Sequence, residues 1–343
     1  MMSLDFLVGF TVFMLALIMV VSMVPGLLAG LESSGIDYDA VAYRTGVILA
    51  EDPGWPVYPP WEMKTGAYKD EIERMGLAVS KETPNILLST KVDAFFNGSF
   101  FTEDDYRNKA IFGDIPYSYN VSLRDKDLTY NYATGDTPPS GRGYIRRAVK
   151  IKEPGVANIS YNSSFNETTL DASKPRIFTV RLNFSQLLDP SVGPAYRIDP
   201  RTEPVNITIT EFGRYLNRTD NPGENAKLKD VAFYKMDPTR PMPRFTRIPF
   251  SYNTMDPDLY TLFLDRTPND LVPETEVSDN ISLVLKPAAT SIFTLDQNSI
   301  LDIRFTFDDG VPQKTFMNGT YLYDYDNVTC PPLKPAVLEV AIW

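Results

Sequence analysis

Hydrophobic positions along the chain change their period twice. From Phe6 to Leu31 they are nearly continuous: 26 consecutive residues carry no charge, and Asp5 is the lone acid ahead of them. A helix of that length would run about 39 Å, more than the ~30 Å apolar interior of a bilayer. Pro25 withdraws a backbone donor, and Gly26-Leu27-Leu28-Ala29-Gly30 has the small-xxx-small spacing that lets helices approach closely. Irregular helix is therefore expected over 23 to 30. Beyond Ser33-Ser34-Gly35, Ile36, Val41, Tyr43, Val47 and Ile48 keep helical spacing to about Ala50, where Glu51-Asp52-Pro53-Gly54 stops the run. Thr83-Pro84 reads as a second helix start, with Leu88, Val92 and Phe95 on one face up to Phe96.

From about Ile115 the pattern shortens to alternation between Pro, Gly, Asp and Asn clusters. Nine segments read as strands: 116–123, 143–152, 177–184, 205–210, 231–235, 258–264, 281–286, 300–307 and 336–343. Strands at that spacing predict an antiparallel β-sandwich. The proline-rich stretches 136–143 and 237–244 read as loops, and no internal repeat is present.

Composition narrows the chemistry. The 312 residues after Leu31 suffice for one large or two ordinary cores, and a formal net charge of -11 argues against nucleic acid as a partner. The chain has no histidine and one cysteine, Cys330. That excludes Ser-His-Asp and Cys-His catalysis, intrachain disulfides and histidine-bearing or all-thiolate zinc sites. Cys330 reads as a packed small apolar residue. The acidic pairs Asp104-Asp105 and Asp308-Asp309, and the run 323–327, lack the ligand spacing of a calcium loop. No phosphate-binding glycine loop or nucleophile elbow occurs, so no catalytic residue, metal or cofactor is assigned.

Asp5 poses a physical problem, because a carboxylate carried into an apolar bundle is costly unless a cation meets it. No Lys or Arg precedes Arg44, so neither the basic leader of a secretory signal nor the flanking cations of an anchor are present. Met1-Met2-Ser3-Leu4-Asp5-Phe6 followed by the apolar run resembles the mature start of type IV pilins, specifically archaeal pilin-like proteins made with a prepilin-type signal. The run RMGLAVSKETPNILLSTKVDAFF (74–96) and the helix ending at Asp52-Pro53-Gly54-Trp55-Pro56 extend the resemblance to about residue 110. The resemblance implies that Met1 is a mature N-terminus freed by a peptidase. It also implies that apolar helices bundle as a filament core, and that Asp5 pairs with the N-terminal amine of a neighbouring subunit. Asp stands where Glu is more usual, and an ordinary membrane anchor with Asp5 at the headgroups is the alternative.

The second signal is Asn-x-Ser/Thr. Eleven of nineteen asparagines fit it: Asn97, Asn120, Asn158, Asn162, Asn166, Asn183, Asn206, Asn217, Asn280, Asn318 and Asn327. At this Ser and Thr content, chance would supply about three. Strand phase accommodates them, since Val205, Ile207 and Ile209 would face inward while Asn206 and Thr208 face solvent.

Together these readings predict an α+β chain: a long N-terminal apolar helix (1–31), a short helical neck (32–113) and a mostly antiparallel, glycosylated β-sandwich headpiece (114–343). The expected function is a structural, non-enzymatic subunit of an extracellular pilus-like filament with a role in surface adhesion. Met1, Asp5, Phe6, Pro25, Gly26 and Gly30 are its assembly residues. The expected partners are other copies of the chain, the membrane before assembly and N-linked glycans. The alternative is a non-polymerising membrane-anchored surface glycoprotein or minor pilin.

Overall fold

The structure is a computed structural model that describes residues 4–31, 37–64, 66–113, 115–160, 176–216, 225–236, 244–248, 259–268, 275–308 and 317–343. The chain begins with helix α1, Leu4–Leu31. The helix is continuous, so the irregularity expected over 23 to 30 is absent. A proline withdraws its own N–H and crowds the carbonyl four residues back, yet the remaining bonds of an otherwise regular ladder can hold the helix around it. Side chains are described on α1 at Phe6 and from Val8 to Ser22, a run of 15. Among the described residues, no helix is long and apolar enough to cross a membrane.

Helix α2, Tyr38–Glu51, starts where the Asp37 carboxylate accepts the Ala40 N–H at 3.0 Å. It buries Ala42, Thr45, Gly46, Leu49 and Ala50, a stripe of mostly small residues at helical spacing. The stripe brings the helix close to the sheet beneath: a Cβ on Gly46 would sit 3.0 Å from Ile145. At the exit, Gly54 has φ +83°, and a Cβ there would lie 2.3 Å from the Trp61 ring. Trp61 itself is fully buried and donates its indole N–H to the Gly76 carbonyl at 2.8 Å.

The segment read as a helix from Thr83-Pro84 is instead a turn and a strand. Thr83 Oγ1 accepts the Ser80 N–H, Asn85 takes φ +63°, and its N–H goes to Ala50 O at 2.7 Å. A left-handed residue cannot continue a helix. The chain therefore runs extended as β1, Ile86–Leu88, before turning into the short helix α3, Ser89–Phe95. Helix α4, Glu103–Tyr106, follows behind a Thr102/Asp105 capping box.

Sheet one has the order β1-β4-β16-β2-β3, from β2 (Tyr119–Asp125), β3 (Asn131–Gly135), β4 (Gly143–Lys152) and β16 (Lys334–Ile342). The last strand of the chain lies at its centre, antiparallel to β4 and β2, while β1 joins β4 in parallel. Its inner face packs on α2 and α3 around Leu49, Val92, Phe95, Val121, Leu123, Ile151, Leu338 and Val340.

Between β4 and β16 the chain builds a second core. Sheet two has the order β11-β10-β13-β7-β5, from β5 (Val156–Ile159), β7 (Val205–Ile209), β10 (Tyr260–Leu264), β11 (Thr267–Pro268) and β13 (Ile281–Leu285). Sheet three has the order β12-β8-β14-β6-β15, with β9 beside β8. Its strands are β6 (Arg176–Asn183), β8 (Ala226–Met236), β9 (Phe245–Arg247), β12 (Thr275–Val277), β14 (Ile300–Asp308) and β15 (Gly319–Tyr323). Both sheets contribute to one apolar cluster that includes Val180, Leu182, Ile207, Phe233, Leu262, Leu283 and Phe305. Short helices α5 (Phe184–Leu187) and α6 (Pro287–Ile292) close its rim.

The expected architecture of long apolar helix, helical neck and one mostly antiparallel sandwich is thus corrected to a mixed α/β fold with three sheets, whose helices after α1 are short. The supposed neck helices are the cover of sheet one. Strands from both ends of the supposed headpiece pair with that sheet, because β16 carries its buried set Ala336, Leu338, Val340 and Ile342 against α2. Each sheet also contains one parallel pair: β1 with β4, β5 with β7, and β15 with β6.

Candidate functional site

Three features stand out among the described residues. The first is α1. Every described side chain on it is exposed, and they are apolar on all sides: Phe6 58%, Val12 62%, Leu15 63%, Ile18 60%, Met19 67% and Val21 59% exposed. A helix that is hydrophobic all round is one that expects cover. Met1 and the side chains of Asp5, Pro25, Gly26 and Gly30 lie outside the described residues, although the backbone of all but Met1 belongs to α1.

The second is an open cleft of about 840 Å³ on the outer face of sheet one, the face turned away from α2. Strand alternation puts Ile145 and Arg147 under α2 and turns Arg146, Ala148 and Lys150 outward. Across the sheet, Arg124, Val337 and Ala148 stand in one row, and Pro335, Lys150 and Ile86 in the next. Glu339 is already engaged, accepting from Tyr144 Oη at 2.8 Å and pairing with Arg146 at 3.6 Å.

The third is the junction of the two cores. Lys152 Nζ meets Glu203 Oε1 at 2.8 Å, and Arg197 reaches Glu82 at 3.1 Å. Arg201 is held by Asp199 and lies 4.9 Å from the Tyr58 ring centre. A cleft of about 530 Å³ opens beside them. Burial pushes the Glu203 carboxyl up, with Lys152 opposing the shift.

Two buried charged residues of the first core, Lys91 and Glu62, leave little trace in the sequence. Lys91 Nζ donates to Pro53 O at 2.7 Å and Ala78 O at 3.0 Å, while both Glu62 carboxylate oxygens are buried without a hydrogen bond. Desolvation pushes Glu62 up to about 7, against the pull of Lys91. Only the helical phase of Lys91 beside Val92 and Phe95 hinted at its burial.

Of the sequon asparagines, Asn162, Asn166 and Asn217 lie outside the described residues. Asn97, Asn158 and Asn327 are exposed; Asn120, Asn183, Asn206, Asn280 and Asn318 are half-buried. Asn120 Nδ2 donates to Asp136 O at 2.9 Å, and Asn206 Nδ2 donates to Gly155 O at 3.2 Å. At Asn97 and Asn183 the side-chain oxygen instead accepts from the serine hydroxyl of its own sequon, at 2.7 and 2.8 Å. Cys330, read as packed, is exposed, because it falls in the loop before β16.

Two of the acidic turns, 104–105 and 323–327, serve local structure, while Asp309 of the third lies outside the described residues. Burial works against Asp105, but hydrogen bonds from Lys69 and Thr102 hold its carboxyl down to about 2. Asp324 accepts the N–H groups of Asp326 and Asn327. Among the described residues, no three acidic or cysteine side chains are grouped to hold a metal ion. No known protein family, curated protein or solved structure matches the chain.

Proposed function

We propose that the chain is a structural subunit of an extracellular pilus-like filament, assembled through α1 and displaying a glycosylated body that serves surface attachment. The observation that carries this reading is the unbroken exposure of α1 from Val8 to Ser22, more than four turns with apolar side chains in every direction. Each large side chain of that kind gains roughly 1.5–3 kcal/mol on full burial, and helices of other copies supply cover on all sides at once. Asp5 meets the free amine of the next copy, which answers its lack of a cation within its own segment and sets the axial register. The eleven sequons point to N-linked glycans on the body and to an extracellular setting.

Replacing Asp5 with Ala is the direct test. Filament yield, read by electron microscopy of the sedimented polymer, drops severalfold or more if the carboxylate pairs between copies. Unchanged yield contradicts the pairing. Lipid could also cover α1, as a non-polymerising membrane-anchored glycoprotein would require; material that stays monomeric in vesicles and never polymerises selects that reading.

A further inference from the structure

We infer that the outer face of sheet one is a contact surface for the acidic exterior of a second copy of this chain, an inference that rests on the filament reading. Four exposed cations border the cleft; Arg146 pairs with Glu339, whereas the side chains of Arg124, Lys126 and Lys150 make no hydrogen bond or ion pair among the described residues. Between them runs an apolar floor of Val337, Ala148 and Pro335. Arg124 stands on β2 and Lys150 on β4, two strands apart across β16, or about 10 Å at the usual strand spacing.

That separation chooses the class of occupant. A small phosphorylated ligand needs its cations converging on one point, whereas here they flank the floor and would grip the two sides of a broad acidic surface. The chain offers that surface: it has 44 acids against 33 bases, so copies packed side by side repel unless basic patches face acidic ones. A net-negative molecule with three unpaired cations beside one cleft has the complementarity for its own kind.

Sugar placement agrees. Among the described sequons only Asn120 lies on a strand of sheet one, and it sits four residues from Arg124 along β2 with its amide tied to Asp136 O. The sequon asparagines Asn97, Asn158 and Asn327 are exposed outside the strands of this sheet, so glycans on these described sites would leave the cleft clear for protein.

The test uses the full chain and its polymer. The triple variant Arg124→Glu, Lys126→Glu, Lys150→Glu moves the net charge from -11 to -17, three residues changing by two units each. A control triple, Lys81→Glu, Lys229→Glu, Arg266→Glu, makes the same change elsewhere. The cleft triple is expected to lower sedimentable polymer at least tenfold with an unchanged melting temperature, and the control to lower it much less. Zero-length carbodiimide cross-linking of wild-type polymer should join Lys126 or Lys150 to an Asp or Glu of another copy. Mixed polymer of light and heavy isotope-labelled chains identifies such links by mass. Polymer in which the cleft triple assembles like wild type, or in which Lys126 and Lys150 link only within their own chain or to a different protein, overturns the contact alone. Wild-type chain that forms no polymer at all overturns the filament reading and the contact with it.

Discussion

Lys152 Nζ lies 2.8 Å from Glu203 Oε1, with the two side chains only 5% and 3% exposed, and this pair ties the end of β4 to the loop leading into β7. Lys152 also donates to Arg197 O at 2.6 Å, and Glu203 accepts the Asp199 N–H at 2.9 Å. The two cores are therefore joined by a buried charge pair whose contacts all fall on Glu203 Oε1, while Oε2 is buried without a hydrogen bond. Lys152→Met leaves Glu203 buried without its cation and should lower stability by about 3–5 kcal/mol in urea unfolding. Adding Glu203→Leu should recover much of that loss. A loss below about 1 kcal/mol for the single variant would show that the junction tolerates an unpaired carboxylate.

Glu62 makes stability depend on pH. Its carboxyl ionises near 4.5 when unfolded and near about 7 when folded, because burial disfavours the charge. Between those values the unfolded chain releases a proton that the folded chain keeps. Stability is full below about 4.5 and falls by roughly 3 kcal/mol as pH rises to about 7, then levels off. Glu62→Gln should flatten that slope. An identical slope in the variant, measured by denaturant melts from pH 4 to 8, would assign it to other groups.

Gly54 is a backbone requirement at the end of α2. With φ +83° and only 2.8 Å between a built Cβ and the Arg74 carbonyl, Gly54→Ala is expected to cost about 2 kcal/mol or more, together with loss of Trp61 fluorescence burial. A melting temperature within one degree of wild type would contradict this.

Sequon use should follow local geometry. Asn97, Asn158 and Asn327 are exposed and should carry glycan in most copies. Asn120 and Asn206 are half-buried with their amides donating to backbone carbonyls, so most copies should be empty there. Peptide mass spectrometry of the native protein reads this directly. High occupancy at Asn206 would mean that modification precedes pairing of β5 with β7.

Much of the local structure could be read from the sequence. All nine alternating segments contain strands, because period-2 burial such as Val205, Ile207 and Ile209 leaves a plain signature. The assembly of those strands was not legible. Nothing in 336–343 says that its partners are β4 and β2, about 200 residues earlier, rather than the adjacent β15, since an alternating strand fits any sheet that offers an apolar face. Helix α2 was found, but its buried stripe was not. Hydrophobicity favours Val41, Tyr43 and Val47, whereas close approach to the sheet selects Ala42, Thr45 and Gly46 and leaves Tyr43 61% exposed. At the candidate sites, the lone-acid pattern and the sequons were visible as local motifs. The sheet-one cleft was not, because Arg124, Lys150 and Val337 meet only through pairing of strands far apart in sequence.

The filament account rests on α1 being covered by other copies of itself. Electron cryo-microscopy of polymer grown from the full chain tests this most directly. The account predicts a helical assembly whose axis is lined by α1 of every subunit, with Phe6, Leu15 and Ile18 buried between copies. Polymer with α1 on its outside, or chain that remains single with α1 in detergent or lipid, would contradict it.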